Sequence, residues 1–108
     1  MPYYLYQVAY TYDAWTSMLK HPQNRTEAVL PIIERLGGRV DNFWIAFGEY
    51  DVVGICEMPD NVSAAAFSMA VSSGGAVKAF KTTPLMTIDE GIQAMRTAGD
   101  LGYTPPVE

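Results

Sequence analysis

The segment from residue 39 to residue 60 most constrains the fold of this chain. Residues 39–47 and 51–58 are rich in β-branched and aromatic side chains, and a four-residue turn, Gly48-Glu49-Tyr50-Asp51, joins them and includes the first residue of the second run. Two such runs around a short glycine-containing turn are typical of a β-hairpin. We therefore expect two adjacent antiparallel strands in the middle of the chain, with the other elements arranged around them.

The remaining elements complete a ferredoxin-like pattern. Aromatic and β-branched residues predict strands at 3–10 and 76–85. Apolar residues at helical spacing predict helices at 24–36 and 62–72. The order β-α-β-β-α-β is that of a ferredoxin-like α+β domain with a four-stranded antiparallel sheet. A capping box at residues 87–90 predicts an additional C-terminal helix, followed by an extended tail from residue 100.

Details of the helices follow from their end signals and their apolar spacing. Asn24 and Glu27 predict a box-like cap for the first long helix, and a short helical turn is expected at residues 13–19. Asp60 or Asn61 is expected to cap the next helix. The face of that helix expected to meet the sheet consists of Val62, Ala65, Ala66, Met69 and Ala70.

Composition and charge exclude several classes of partner. The chain has 108 residues, which fits one domain, and it carries a net charge of −5 with seven dispersed basic residues. Nucleic acid binding needs clustered Lys and Arg, so nucleic acid is not expected as a partner. No apolar segment is long enough to span a bilayer, so no membrane partner is expected either. The hydrophobic share is 49% against 18% charged residues, which favours a self-associating protein, a homodimer or higher homo-oligomer.

The single cysteine and the N-terminal sequence favour a cytoplasmic location. Cys56 has no second cysteine to pair with, so no disulfide can form within the chain. No basic region followed by an apolar run is present at the N-terminus, so no signal peptide is expected. One histidine, one cysteine and scattered acids also show no metal-ligand spacing, so neither a metal nor a cofactor is expected.

The hairpin turn carries a resemblance to a known family. Gly48-Glu49-Tyr50-Asp51, followed by Val52-Val53 and by Glu57-Met58-Pro59-Asp60, resembles the GYD family, which is named after its Gly-x-Tyr-Asp motif. The resemblance covers residues 1–90, and residues 91–108 look like an extension. It implies a dimeric α+β barrel, in which two sheets pack against each other. That group includes cofactor-free monooxygenases, haem-binding degradation enzymes, isomerases and effector-binding domains, so the resemblance implies a fold and leaves the reaction open.

Four residues are candidates for acid–base chemistry. Asp51 and Tyr50 lie where a strand begins, and they can supply a base and a hydrogen-bond donor. Turn chemistry also accounts for Asp51, and this structural interpretation is favoured. Glu57 is expected to form an ion pair with Arg25, Lys78 or Lys81, and it becomes a pocket acid if its pKa is raised. His21, the only histidine, is either solvated or a proton-transfer group at a pocket mouth.

Aromatic residues suggest a ligand pocket between sheet and helices. Tyrosines alternate along the first strand, and each buried hydroxyl needs a partner, which is unusual for a dry core. Tyr6, Trp15, Trp44 and Phe67 are the candidate ligand-binding residues, although the same side chains can simply form core.

Three functions remain open on the sequence. The first is binding of a small apolar or aromatic molecule by a homodimer. The second is a cofactor-independent isomerase, lyase or monooxygenase that uses the acid–base candidates. The third is a structural or regulatory assembly module without a pocket. The sequence leaves open whether the protein is an enzyme, and thermal-shift and variant experiments discriminate among the three.

Overall fold

The computed structural model describes residues 1–107, in which four antiparallel strands form one sheet in the order β2-β3-β1-β4. The elements are β1 (Tyr3–Tyr10), α1 (Tyr12–Lys20), α2 (Thr26–Arg35), β2 (Arg39–Ile45), β3 (Val52–Glu57), α3 (Asn61–Ser73), β4 (Val77–Leu85) and α4 (Ile88–Gly99). This order confirms the predicted ferredoxin-like α+β fold with a C-terminal helix. None of the described helices is long and apolar enough to cross a membrane.

Strand register places Tyr4 and Tyr6 of β1 on the side of the sheet that faces the helices. Tyr4 lies opposite Cys56 of β3, and Tyr6 lies between Gly54 of β3 and Thr82 of β4. Side chains alternate between the two faces along each strand, so these residues share one face. Tyr4 and Tyr6 are 2% and 1% exposed, respectively, which makes this face the floor of the core.

Helices α2 and α3 cover this face of the sheet. Ile33 of α2 and Phe67 of α3 are both buried in one cluster with the strand tyrosines. The Phe67 ring contacts Tyr6 edge-on at 5.1 Å between centroids and Phe80 of β4 at 6.0 Å. Such edge-to-face pairs add about 0.5–1.5 kcal/mol to the hydrophobic term. The core therefore lies between the two long helices and the two central strands.

The predicted buried face of α3 is wrong. Ala64 and Phe67 are the buried residues of this helix, whereas Val62 and Met69 are 78% and 70% exposed. The helix is apolar on nearly every side, because it consists mostly of alanine, valine, methionine and phenylalanine. Periodicity cannot orient such a helix, and the position of the aromatic ring of Phe67 decides which face meets the sheet.

Two end signals also differ from the sequence expectation. The short turn expected at residues 13–19 is a nine-residue helix, α1, capped by the Thr11 hydroxyl, which accepts from the Ala14 backbone N–H at 3.1 Å. The box expected from Asn24 and Glu27 does not form, since Asn24 Oδ1 accepts instead from the Thr26 N–H at 3.0 Å. The caps predicted for α3 and α4 are confirmed, including the Thr87–Glu90 capping box.

None of the residues on the other face of the sheet belongs to the core cluster, and its central apolar side chains are half-buried. By register it carries Leu5, Ile55 and Val53, and Trp44 lies beside Val53 with 51% of its surface exposed. Apolar side chains that keep contact with water lose part of the free energy gained by burial. This face of the sheet, with Leu5, Val53 and Ile55 at its centre, is called the open face below.

Candidate functional site

The turn formed by residues 48–51, which carries the Gly-x-Tyr-Asp motif and is called the motif turn below, is attached to β1 and α1 through Asp51. The Asp51 Oδ2 atom accepts hydrogen bonds from the Tyr10 backbone N–H at 2.8 Å and from Trp15 Nε1 at 3.3 Å. The Asp51 backbone N–H donates to the Val8 carbonyl at 2.7 Å. The rings of Tyr10 and Trp15 then meet edge-on at 5.6 Å. One carboxylate thus joins the hairpin, the end of the first strand and the first helix.

The ion-pair partner expected for Glu57 is wrong. Glu57 is buried and pairs with Arg39, its direct neighbour across β2 and β3, and not with Arg25, Lys78 or Lys81. Cross-strand neighbours lie about 5 Å apart, whereas the expected partners belong to distant elements. This contact raises the pKa of the Arg39 guanidinium, mainly through its hydrogen bond to Glu57. The Glu57 carboxylate therefore has a structural partner within the sheet.

The four acid–base candidates do not converge. Asp51 precedes β3 and Glu57 ends it, so about 20 Å of extended strand separates them. His21 is exposed at the C-terminal end of α1, where its backbone N–H donates to the Ser17 carbonyl at 3.0 Å. Tyr50 is half-buried in the motif turn. The structure therefore brings Tyr50 and Asp51 together and leaves the other two candidates apart.

The four ligand-binding candidates lie in three different places. Tyr6 and Phe67 contact each other in the core, and Trp15 packs against Tyr10 beside the motif turn. Trp44 lies on the open face, on the other side of the sheet from Tyr6. These residues therefore do not line a common cavity within the chain.

A groove with polar groups in its lining lies between α3 and the strands β1 and β4. Its volume is about 260 Å³, slightly less than most pockets that hold drug-sized molecules. Its walls are mostly apolar, with a few hydroxyl and amide groups. The lining residues are Tyr4, Asn61, Ala64, Ala65, Ser68, Met69, Thr82 and Pro84. Small alanine side chains on α3 leave this space open, which larger residues would fill.

The polar groups of the groove differ in how they are satisfied. The Tyr4 hydroxyl donates to Asn61 Oδ1 at 2.6 Å, whereas the buried Thr82 hydroxyl has no hydrogen-bond partner in the described chain. A buried hydroxyl without a partner costs about 1–3 kcal/mol. A molecule in the groove that hydrogen-bonds to Thr82 would remove this penalty.

Burial keeps the core phenol and thiol neutral. Desolvation raises the pKa of the Tyr6 hydroxyl, which donates to the Ala64 carbonyl at 3.3 Å, and it raises the pKa of Cys56 to about 12. Burial also raises the pKa of Tyr10, with a smaller contribution in the same direction from the Asp51 carboxylate. Groups of this kind donate hydrogen bonds at neutral pH but do not act as bases. In residues 1–107, no cluster of three or more His, Cys, Asp or Glu side chains is arranged to hold a metal ion.

The groove residues were not selected from the sequence. Tyr4 was recognised only as one of several aromatics, and Asn61 only as a helix cap. Thr82 had a weak signal, because it shares strand parity with Phe80 and therefore faces the helices. The distance between α3 and β4, which creates the groove, has no local signal in the sequence.

Comparison with known proteins agrees with this architecture and with the motif turn. The sequence matches the family model described as GYD domain over residues 4–95. The chain belongs to the GYD domain family. The solved structure described as "crystal structure of FFRP-DM1" is similar, with a TM-score of 0.51 at 12% identity. That alignment covers 80% of this chain and 100% of the other, and at this identity it shows the fold alone. Among curated proteins, no match is found.

Proposed function

We propose that this protein is a homodimer that binds a small, mostly apolar or aromatic molecule in the groove between α3 and β4. The observation that carries the proposal is the buried, unpartnered hydroxyl of Thr82 in the wall of that groove. Buried polar groups are nearly always hydrogen-bonded in folded proteins, so an orphaned one in a groove points to an absent partner. A cytoplasmic location, expected from the single cysteine, stays a prediction.

The groove favours a particular kind of ligand. Ala64, Ala65 and Pro84 offer apolar contacts, while Thr82 and Asn61 are lining residues with polar side chains. A flat or compact apolar molecule with one carbonyl, hydroxyl or carboxyl group matches this surface. Neither wall supplies a cation to neutralise a strongly charged ligand, so an anion of high charge does not fit.

Binding is favoured over catalysis because the carboxylates nearest to the candidate sites already have structural partners. Asp51 accepts two hydrogen bonds that join three elements, and Glu57 is paired with Arg39. A general base must be free to accept a proton from the substrate. The groove, in contrast, contains hydroxyl and amide groups, which suit recognition.

A thermal-shift panel of aromatic acids, lactones and quinones at about 1 mM tests the proposal. A compound that binds with a dissociation constant of about 10 μM stabilises the fold by about 2.7 kcal/mol at that concentration. Ala65→Leu fills the groove and should abolish the shift. Ala70→Leu, an exposed position of the same helix outside the groove, is the matched control. Failure of every compound, or a shift that Ala65→Leu leaves intact, would contradict this site.

Thr82→Val provides a second test, because it should affect stability and ligand binding in opposite directions. Removing the unpartnered hydroxyl should stabilise the free protein by about 1 kcal/mol, and it should weaken ligand binding by about fivefold or more. Thr16→Val, at an exposed position of α1 outside the groove, should do neither. If Thr82→Val is less stable than the native protein, the Thr82 hydroxyl of the native protein has a hydrogen-bond partner.

A further inference from the structure

The C-terminal helix α4 is a complete helix without an extensive contact to any other element of the described chain. It spans Ile88–Gly99 and begins with a full capping box, yet none of its residues is buried. Along one side, Ile88, Ile92 and Met95 recur at i, i+4 and i+7, the spacing of a single apolar stripe. Ile88 and Met95 are 81% and 73% exposed, and Ile92 between them is 39% exposed. Most short helices are stable only when such a stripe is covered.

The elongated shape of the chain agrees with an α4 that lies apart from the core. The radius of gyration is 17.5 Å, whereas a compact domain of this length has a value of about 13 Å. The longest dimension is 57 Å and the shortest is 21 Å. Only Met86 and Thr87 separate α4 from the end of β4, and the cap formed by Thr87 fixes the start of the helix. We therefore describe α4, which follows the end of β4 and has no buried residue, as an arm.

The amount of exposed surface matches the requirement of a stable homodimer. The solvent-accessible surface is 7870 Å² for a mass of 11.9 kDa, about 1,900 Å² more than a compact monomer of that mass exposes. A standard interface buries about 800 Å² on each partner, and obligate homodimers bury more. The excess is therefore of the size that an obligate dimer removes from water, and it includes both the open face and the arm.

We propose that α4 docks through its Ile88–Ile92–Met95 stripe on a second copy of this chain, so that two copies exchange their C-terminal arms. The arm follows β4 directly, and β4 contributes Leu85 and Thr83 to the open face. Pairing of two open faces thus carries each arm past its own sheet and onto the partner. The opposite side of α4, with Gln93 and Thr97, stays in water. The proposal rests on the dimer that forms part of the proposed function.

Sedimentation of paired variants tests the docking stripe. Ile92→Glu with Met95→Glu places two charges on the stripe, and we expect the dimer dissociation constant to rise by about tenfold or more. Gln93→Glu with Thr97→Glu adds the same two charges to the polar side and should leave the constant unchanged. Equal behaviour of the two double variants would overturn the arm exchange. A native chain that sediments as a monomer would overturn the dimer as well.

Photo-crosslinking decides which chain receives the arm. A benzophenone attached to Met95→Cys in a Cys56→Ala background should give products of dimer mass on a denaturing gel. Products of monomer mass only would contradict exchange of the arms. Ligand binding in the groove is measured separately by thermal shift, so failure of the arm and failure of the ligand proposal are distinguishable.

Discussion

At the scale of single residues, close packing explains why position 54 is occupied by glycine. A Cβ atom at this position would lie 1.8 Å from Cδ1 of the Phe43 ring on the adjacent strand. The ring therefore occupies the space that a side chain of β3 would need. The glycine of the family motif differs, because nothing lies within 4 Å of a Cβ placed at Gly48.

Gly54→Ala should consequently destabilise the fold by about 1–3 kcal/mol, the usual cost of overpacking a core. Gly48→Ala introduces the same methyl group into open space and should change stability by less than about 0.5 kcal/mol. Urea denaturation of both variants measures the difference. A Gly54→Ala protein as stable as the native one would show that Phe43 moves aside freely.

Asp51 provides the second test at this scale. Asp51→Ala removes the acceptor for the Tyr10 N–H and for Trp15 Nε1, and it should destabilise the fold by about 1–3 kcal/mol. Asp51→Asn retains an acceptor oxygen and should lose less. Glu49→Ala, an exposed acid in the same turn, is the matched control in chemical denaturation. Equal effects of Asp51→Ala and Glu49→Ala would contradict a structural role of Asp51.

At the scale of the elements, the start of α3 depends on a charged cap. Asp60 Oδ1 accepts a hydrogen bond from the Ser63 N–H at 2.8 Å, which lowers the pKa of Asp60 below its ordinary value of 3.8. A lowered carboxylate pKa means that the folded state favours the charged form. Its contribution to stability is complete above pH 3.8 and declines as the pH falls through the lower folded-state value.

Asp60→Asn isolates this contribution, because asparagine caps a helix about as well as aspartate but does not titrate. We expect the native protein to lose more stability than Asp60→Asn as the pH falls below 3.8. Denaturation curves at several pH values measure that difference. Glu49→Gln removes an exposed carboxylate elsewhere and corrects for the change of net charge. Parallel pH profiles for native and Asp60→Asn proteins would show that the cap is not charge-dependent.

At the scale of the whole molecule, the open face accounts for the apolar composition. A chain with 49% hydrophobic residues buries one face of its sheet beneath two helices and leaves Leu5, Ile55 and Val53 on the other. The proposed dimer covers this face, and the proposed exchange of α4 adds to the same interface. Both follow from the surface that a single copy cannot bury.

Ile55→Lys places a charge in the middle of the open face and should convert the dimer into a monomer. Ala28→Lys introduces the same charge on an exposed side of α2 and should leave the mass unchanged. Sedimentation at micromolar concentration gives the mass, and circular dichroism shows that each variant is folded. A dimeric Ile55→Lys protein would place the interface elsewhere.

The elements and their order were predictable from the sequence because their signals are local. Alternating aromatic residues marked β1, and the Thr87–Glu90 pair marked the start of α4. The pairing of Glu57 with Arg39 was missed, although it follows from the hairpin once its register is known. Of the groove, only the small residues of α3 were visible in advance.

What the sequence determined by itself was therefore the ferredoxin-like arrangement, since hydrophobic periodicity and caps act over a few residues. The tertiary structure alone decided which side of α3 faces the sheet, why the Thr82 hydroxyl is left without a partner, and how Asp51 joins three elements. These features depend on distances between residues that are far apart in the chain. Packing sets such distances, and no short segment of the sequence encodes them.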